Sequence, residues 1–294
     1  MGMDRRTELR DFLISRRAKI TPVQAGLTAY GDNRRVPGLR REEVAMLAGL
    51  SVDYYTRLER GNARGASDAV LDSLARALRL DEAERAHLFD LARAASTTAP
   101  RKQRPAKVQV RPVVRQILDS MTIPAYVRNR RMDILAVNTL GQAVFSTIFA
   151  GPARPVNVAR FVFLDPAAPA FYDDWEWMVD VTVAVLRTEV GRSPYDKALM
   201  GLIGELSTHS AAFRARWAAH DVRFHRTGAK TLHHPVVGEL TLSFEAMELS
   251  AETDLVLLAY TAEAGSPSAD ALSLLASWSA TTEQEPTASN AEHA

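Results

Sequence analysis

Between Gly38 and Gly61 the chain reads GLRREEVAMLAGLSVDYYTRLERG, and this stretch constrains the fold more tightly than any other. Arg40 to Ala48 sets Val44, Leu47 and Ala48 on one face of a helix, with Glu42 and Glu43 near its start, where negative charge suits the helix dipole. Gly49 ends that helix, because glycine enters the left-handed region without steric cost. Ser51 then reads as the N-cap of a second helix. Within it Tyr55 and Leu58 are three apart and face inward, while Val52, Asp53, Thr56 and Arg57 fall on the opposite side. Two short helices meeting at a glycine, with arginines along one edge, have the arrangement of a helix-turn-helix. The plainer alternative is a structural helical hairpin.

The outward face carries specific chemistry. Arg57 can donate two hydrogen bonds to guanine, Asp53 can accept from cytosine N4, and Val52 or the Thr56 methyl can meet a thymine methyl. Tyr54, on the flank, suits a phosphate, as do Arg40 and Arg41 beside the backbone amides of the first helix start. With Ser51 and Asn62 these residues form the candidate DNA-contacting set. For any one arginine the alternative is a solvated charge.

Charge distribution supports this division of labour. The formal net charge of +1 hides an asymmetry: residues 1–104 hold 20 Lys+Arg against 14 Asp+Glu, giving +6, and the remainder holds 16 against 21, giving −5. A basic part joined to an acidic part fits a nucleic-acid-binding domain attached to a domain with another task. The 294 residues suffice for two domains. Cysteine is absent, which excludes disulfides, thiolate metal sites and cysteine nucleophiles and is compatible with the cytosol. No apolar run reaches the roughly 18 residues of a membrane span, and MGMDRRTELR is not a signal peptide, so a cytoplasmic location is expected.

Along the chain, Glu8 to Lys19 has amphipathic spacing through Leu9, Phe12, Leu13 and Ile14. Ile20 to Leu39 is broken by Pro22, Gly26, Gly31, Pro37 and Gly38; its Arg34 and Arg35 are either phosphate contacts or solvated loop. After the central motif, Ser67 opens a helix with Val70, Leu71, Leu74, Ala75 and Leu78, and Asp81 to Ala94 forms a fifth. Ser96 to Lys107, STTAPRKQRPAK, reads as a basic linker.

Beyond it helix and strand mix. Helices are expected at Val113–Met121, Leu140–Phe149, Asn157–Phe163, Phe171–Thr188, Tyr195–Leu206 and Ala211–His220. Strands are expected at Ala125–Arg128, Ile134–Asn138, Val222–Leu232 with a break near Gly228, Leu240–Met247 and Leu255–Tyr260. Ser266 caps a last helix to Trp278, and the tail from residue 281 reads as disordered. Five strands with helices between the second and third must bury one sheet face under those helices.

Residues 5–95 resemble the Xre/lambda-repressor-like helix-turn-helix domains, in which the second helix of the motif lies in the major groove. In that family an acidic residue near the end of the motif commonly pairs with an arginine of the first helix, which implies Arg16 or Arg17 as partner of Glu59. The phrases NVARFVFLDP, AHDVRFH, HHPVVGELTLSFEAMEL and YTAEAGSPSADALSLLASW are similar to the C-terminal domain of the MmyB-like regulators of actinobacteria. Together the two resemblances cover residues 5–278. They imply an all-α, five-helix domain over 1–95, a linker over 96–108, and an α+β PAS-like domain over 109–280 with a five-stranded antiparallel sheet. The implied function is a one-component transcription regulator holding a small, largely apolar ligand, with a fatty acid as one candidate.

Candidate ligand contacts are Tyr126, Phe161, Phe163, Phe171, Trp175 and Trp177, for each of which plain core is the alternative, and Arg128 or His225 for an anionic head group. An enzyme is not expected. His233 and His234 are adjacent on a strand and point to opposite faces, and HExxH, GxSxG, Walker and GxGxxG patterns are absent, so neither metal nor cofactor is anticipated. Asp173, Asp174 and Glu176 diverge by about 100° per residue on a helix and give no convergent acid pair. A homodimer on an inverted-repeat operator in double-stranded DNA is expected, since one helix-turn-helix reads too few base pairs to be selective. The alternative is a regulator whose second domain serves only dimerisation or protein interaction.

Overall fold

The computed structural model describes residues 5–27, 36–96, 109–193, 196–218, 227–252 and 254–284. Arg34, Arg35, His220, His225, linker residues 97–108 and the tail beyond 284 lie outside these. The helical part holds α1 (Arg5–Lys19), α2 (Arg41–Ala48), α3 (Val52–Glu59), α4 (Asp68–Ala77) and α5 (Glu82–Ser96). It continues with α6 (Pro112–Ser120), β1 (Ala125–Asn129), β2 (Ile134–Val137), α7 (Thr139–Val144), α8 (Ser146–Phe149), α9 (Val158–Leu164), α10 (Ala168–Phe171) and α11 (Trp175–Arg192). Then follow α12 (Lys197–His209), α13 (Ala211–Ala218), β3 (Thr227–His234), β4 (Gly238–Glu248), β5 (Leu255–Thr261) and α14 (Pro267–Gln284). The described residues within 1–104 and 183–224 form one compact unit, and those within 105–182 and 225–294 a second.

In the first unit, Leu9, Phe12, Leu13, Val44, Tyr55, Leu58, Leu71, Leu74, Leu88 and Leu91 meet in one apolar core. Ile14 stays half-buried, while Arg16 is buried and pairs with Glu84 at 2.6 Å. The chain returns from the Pro37 loop at Gly38, where a Cβ would lie 2.6 Å from the Ala18 Cα, so only glycine lets the backbone run this close to α1. The end of α11 belongs here too: the buried Arg187 guanidinium lies 4.3 Å over the Trp217 ring and 3.4 Å from Glu8 Oε2.

The second unit is built on one antiparallel sheet in the order β2-β1-β5-β4-β3. Alternation sorts its residues. Val127, Ala136, Leu255, Leu257 and Ala259 pack under Val114 and Leu118 of α6. Tyr126 and Tyr260 share the other face, where the inserted helices lie. The central strands β1 and β5 are thus covered on both faces, whereas β4 alternates buried Leu240, Leu242 and Phe244 with exposed Thr241, Ser243 and Glu245.

Four expected elements differ from the structure. The helix expected at Leu140–Phe149 is two, because Phe145 leaves helical geometry (ψ 23°) and packs its ring 4.9 Å from Tyr260. The helix expected from Phe171 breaks at Tyr172, which is extended, bridges to Leu232 of β3, and is followed by Asp173 donating its N–H to Thr231 O at 3.2 Å. α11 starts afresh behind Asp174, whose Oδ1 accepts from the Trp177 N–H at 2.9 Å. Of the strand expected at Val222–Leu232, residues 222–226 lie outside the described residues; from Thr227 β3 pairs through Gly228, opposite Phe244, and reaches His234. The last helix extends past Trp278 to Gln284.

Candidate functional site

The Gly38–Gly61 motif takes the expected geometry. Gly49 sits at φ 66°, and its N–H and that of Leu50 close α2 onto Met46 O and Ala45 O. Glu43 accepts from the Arg40 backbone N–H at 2.6 Å at the helix start. Ser51 Oγ accepts from the Tyr54 N–H at 3.1 Å and caps α3. Tyr55, Leu58 and Glu59 are buried, while Val52, Asp53 and Arg57 are exposed and Thr56 lies half-buried between them. The Arg57 guanidinium lies 4.6 Å over the Tyr54 ring, which itself packs against the core. A guanidinium stacked on a ring face keeps its in-plane N–H groups available to an acceptor. Asn62 Oδ1 accepts from the Arg64 N–H at 3.2 Å in the turn after α3.

The buried Glu59 organises the back of the motif. Its Oε1 accepts from Arg17 Nε at 2.5 Å and from the Tyr55 hydroxyl at 3.2 Å, and its Oε2 accepts from Arg41 Nε. Burial alone pushes its carboxyl up, yet the hydrogen bonds and charges of Arg17 and Arg41 outweigh that and hold it below the ordinary value. Burial and the Glu59 charge together raise the Tyr55 phenol, which stays protonated. Arg17 thus takes the role left open between Arg16 and Arg17. Arg41, read from sequence as a phosphate contact, commits its Nε to Glu59 and keeps about half its side chain exposed (52%).

In the second unit, the break at Tyr172 opens a cleft of about 260 Å³ between the start of α11 and β3. Tyr172, Asp173, Asp174, Trp177, Met178 and Lys230 line it. Lys230 Nζ lies 4.4 Å over the Phe244 ring and 3.5 Å from the Tyr260 hydroxyl, which is 3.1 Å from the Tyr126 hydroxyl. Burial, reinforced by the positive charge of Arg128, pushes the Lys230 amine down to about 7. Burial raises the phenols of Tyr126, Tyr172 and Tyr260, so these remain hydroxyls beside it.

Of the residues expected at a ligand, Trp177 lines this cleft. Tyr126 belongs to the hydroxyl pair beyond Lys230, and Arg128, buried, donates to Asn129 O at 3.1 Å. Phe161 and Phe171 pack edge-to-face at 5.7 Å in the core, Phe163 is buried, and Trp175, half-buried, donates its Nε1–H to Val162 O at 2.9 Å. His225 lies outside the described residues. Sequence reasoning passed over Lys230, Tyr172 and Met178. The signal for Lys230 was strand phase, since Lys230, Leu232 and His234 share one face of β3 and the last two are buried.

The histidine pair divides as its register requires. His233 faces out, 3.1 Å from Asp173. His234 is buried; its Nε2 contacts Ala143 O at 3.0 Å, and its Nδ1 accepts from the Val236 and Val237 N–H groups, which fixes the Nε2–H tautomer. Among the described residues no three His, Cys, Asp or Glu side chains come together to hold a metal, and no helix is long and apolar enough to cross a membrane.

Two family models match. One, described as the MmyB-like transcription regulator ligand binding domain, covers residues 110–275, and the other, a helix-turn-helix domain, covers residues 9–88. No curated protein matches the chain.

Proposed function

This chain belongs to the MmyB-like transcription regulators, and we propose that it acts as a homodimer on an inverted-repeat operator, under control of a small, largely apolar ligand such as a fatty acid. It is a DNA-binding regulator by its domains; dimer, operator and ligand are the parts proposed here. The observation that carries the DNA reading is the sorting of α3, with Tyr55, Leu58 and Glu59 buried and Val52, Asp53 and Arg57 presented outward. Placed in a major groove, that face offers a guanine donor pair, a cytosine acceptor and a methyl contact. Ser51, at the helix start, Tyr54, Arg40, Arg41 and Asn62 surround it as phosphate contacts.

The cleft beside Tyr172 is the proposed ligand site. A ligand there can alter DNA affinity only by favouring one arrangement of the protein over another. Selection of bound duplexes from a random pool by the full chain tests the operator reading. The expected product is two inverted half-sites about 34–36 Å apart or a multiple of it. Recovery of a single half-site, or of no preferred sequence, would overturn it.

A further inference from the structure

The cleft holds a charge problem that the proposed ligand reading does not by itself resolve. Lys230 sits on β3 in register with Leu242, and its amine points inward among Phe244, Tyr260 and Tyr172. Among the described residues no carboxylate lies within 4.0 Å of its nitrogen. The two acids on the cleft wall are engaged elsewhere: Asp173 Oδ1 meets His233 Nε2 at 3.1 Å, and Asp174 Oδ1 caps α11. Arg128, a buried cation, adds positive potential from β1. A half-buried ammonium with no carboxylate beside it among the described residues is costly, and cation–π contact, the Tyr260 hydroxyl and loss of the proton each lower that cost. An anion arriving in the cleft relieves it directly.

We propose that Lys230, backed by the Tyr260 hydroxyl, receives the carboxylate head group of the ligand, whose apolar body lies against Tyr172, Trp177 and Met178. This deepens the ligand reading above and rests on it. One amine and one hydroxyl suit a carboxylate; a phosphate dianion would call for more donors. At about 260 Å³ the cleft is smaller than most ligand pockets, so it selects a short acid over a long one. Because the resting amine sits near neutrality, binding of the anion takes up a proton at Lys230 above pH 7. The other groups around it do not supply that proton. Tyr126, Tyr172 and Tyr260 are already protonated, Arg128 stays charged, and the Asp173–His233 pair sits at the rim.

The test is calorimetric titration of the full chain with octanoate and with 1-octanol, from pH 6.5 to 8.5, in buffers of different ionisation heat. Octanoate should bind the native protein at least about tenfold more tightly than octanol at pH 7. Its affinity should fall about tenfold per pH unit above 7, with close to one proton taken up at pH 8. Lys230→Met and Lys230→Gln should lose the octanoate preference and the proton uptake while still binding octanol, and His233→Gln should retain both. Equal binding of octanoate and octanol by the native chain, or octanoate binding that survives Lys230→Met, would overturn the assignment of Lys230 and leave the cleft as a ligand site. If neither compound binds the native chain, the cleft reading itself falls, and the Lys230 proposal falls with it.

Discussion

Replacing Glu59 by glutamine tests the electrostatic frame behind the reading helix. The carboxylate is 2% exposed and takes hydrogen bonds from Arg17, Arg41 and Tyr55. Breaking a buried ion pair by removing one partner costs about 3–5 kcal/mol, because the remaining charge stays buried. Here the Arg17 side chain is 15% exposed and is stranded by the change, whereas the Arg41 side chain is 52% exposed and is rehydrated at little cost. Glutamine keeps the volume and can still accept one N–H through its Oε1. These considerations place Glu59→Gln at the lower end, about 3 kcal/mol, and Arg41→Ala at about 1 kcal/mol or less.

A chain with two compact units need not unfold in one step, so the readout should be local. Hydrogen exchange of the α1, α2 and α3 amides, measured in native and variant full-length protein, gives the opening free energy of that region. A loss below about 1 kcal/mol would mean that the buried charge is not the organising contact that its geometry indicates. The pH dependence supplies a second check. The Glu59 carboxyl is held below 4.5 in the fold, so its stabilisation is complete above 4.5 and is lost as pH falls below 4.5 through the folded value. The glutamine variant should lack that acid-side loss.

Arg57→Ala should cost about 1–3 kcal/mol at the selected operator and relax preference at one base pair, and an unchanged selected sequence would show that the reading face lies elsewhere. Glu8 has the opposite pH sign to Glu59: burial raises its carboxyl, and Arg187 at 3.4 Å offsets this only in part. Stability from this group is therefore full below 4.5 and declines as pH rises through the raised value, so Glu8→Gln should flatten a urea-midpoint profile above pH 4.5; an unaltered profile would refute it. Gly61 and Gly65 both have positive φ, 82° and 78°, but a Cβ at Gly61 would lie 2.1 Å from Arg6 O while one at Gly65 meets nothing within 4 Å. Gly65→Ala should cost about 1–2 kcal/mol from backbone strain alone, and Gly61→Ala clearly more, by thermal or urea unfolding; equal costs would refute the close approach to α1.

The first unit was largely legible because its signals are local. Gly49 and Ser51 mark the turn by their own backbone and side-chain preferences, and three-residue spacing alone puts Tyr55 and Leu58 inside. What spacing does not carry is a partner chosen across the fold. Arg16 and Arg17 are neighbours at the end of α1, and only the packing of α5 beside α1 gives Arg16 to Glu84 and frees Arg17 for Glu59. The same holds for Arg41, since an exposed arginine at a helix start gives no sign that its Nε reaches a carboxylate 18 residues away.

The second unit shows where local reading fails and why the failure falls at the cleft. Through PAFYDDWEWM the apolar spacing passes for one helix, and its break comes from outside, from the Tyr172–Leu232 bridge and the Asp173 hydrogen bond to Thr231. That same break separates α10 from α11, turns Trp177 and Met178 toward β3, and leaves the cleft between them. Of the aromatic residues that looked like a cavity lining, Phe161 and Phe171 pack edge-to-face with Tyr172 in the core under the inserted helices, and Trp177 lines the cleft. The residue left facing the opening is the one whose type argued against burial. Lys230 goes inward because the two-residue period of β3, pinned by Leu232 and His234, gives it no choice of face. A lysine placed by register where its charge is costly is retained at that cost, and an incoming carboxylate is the group that offsets it.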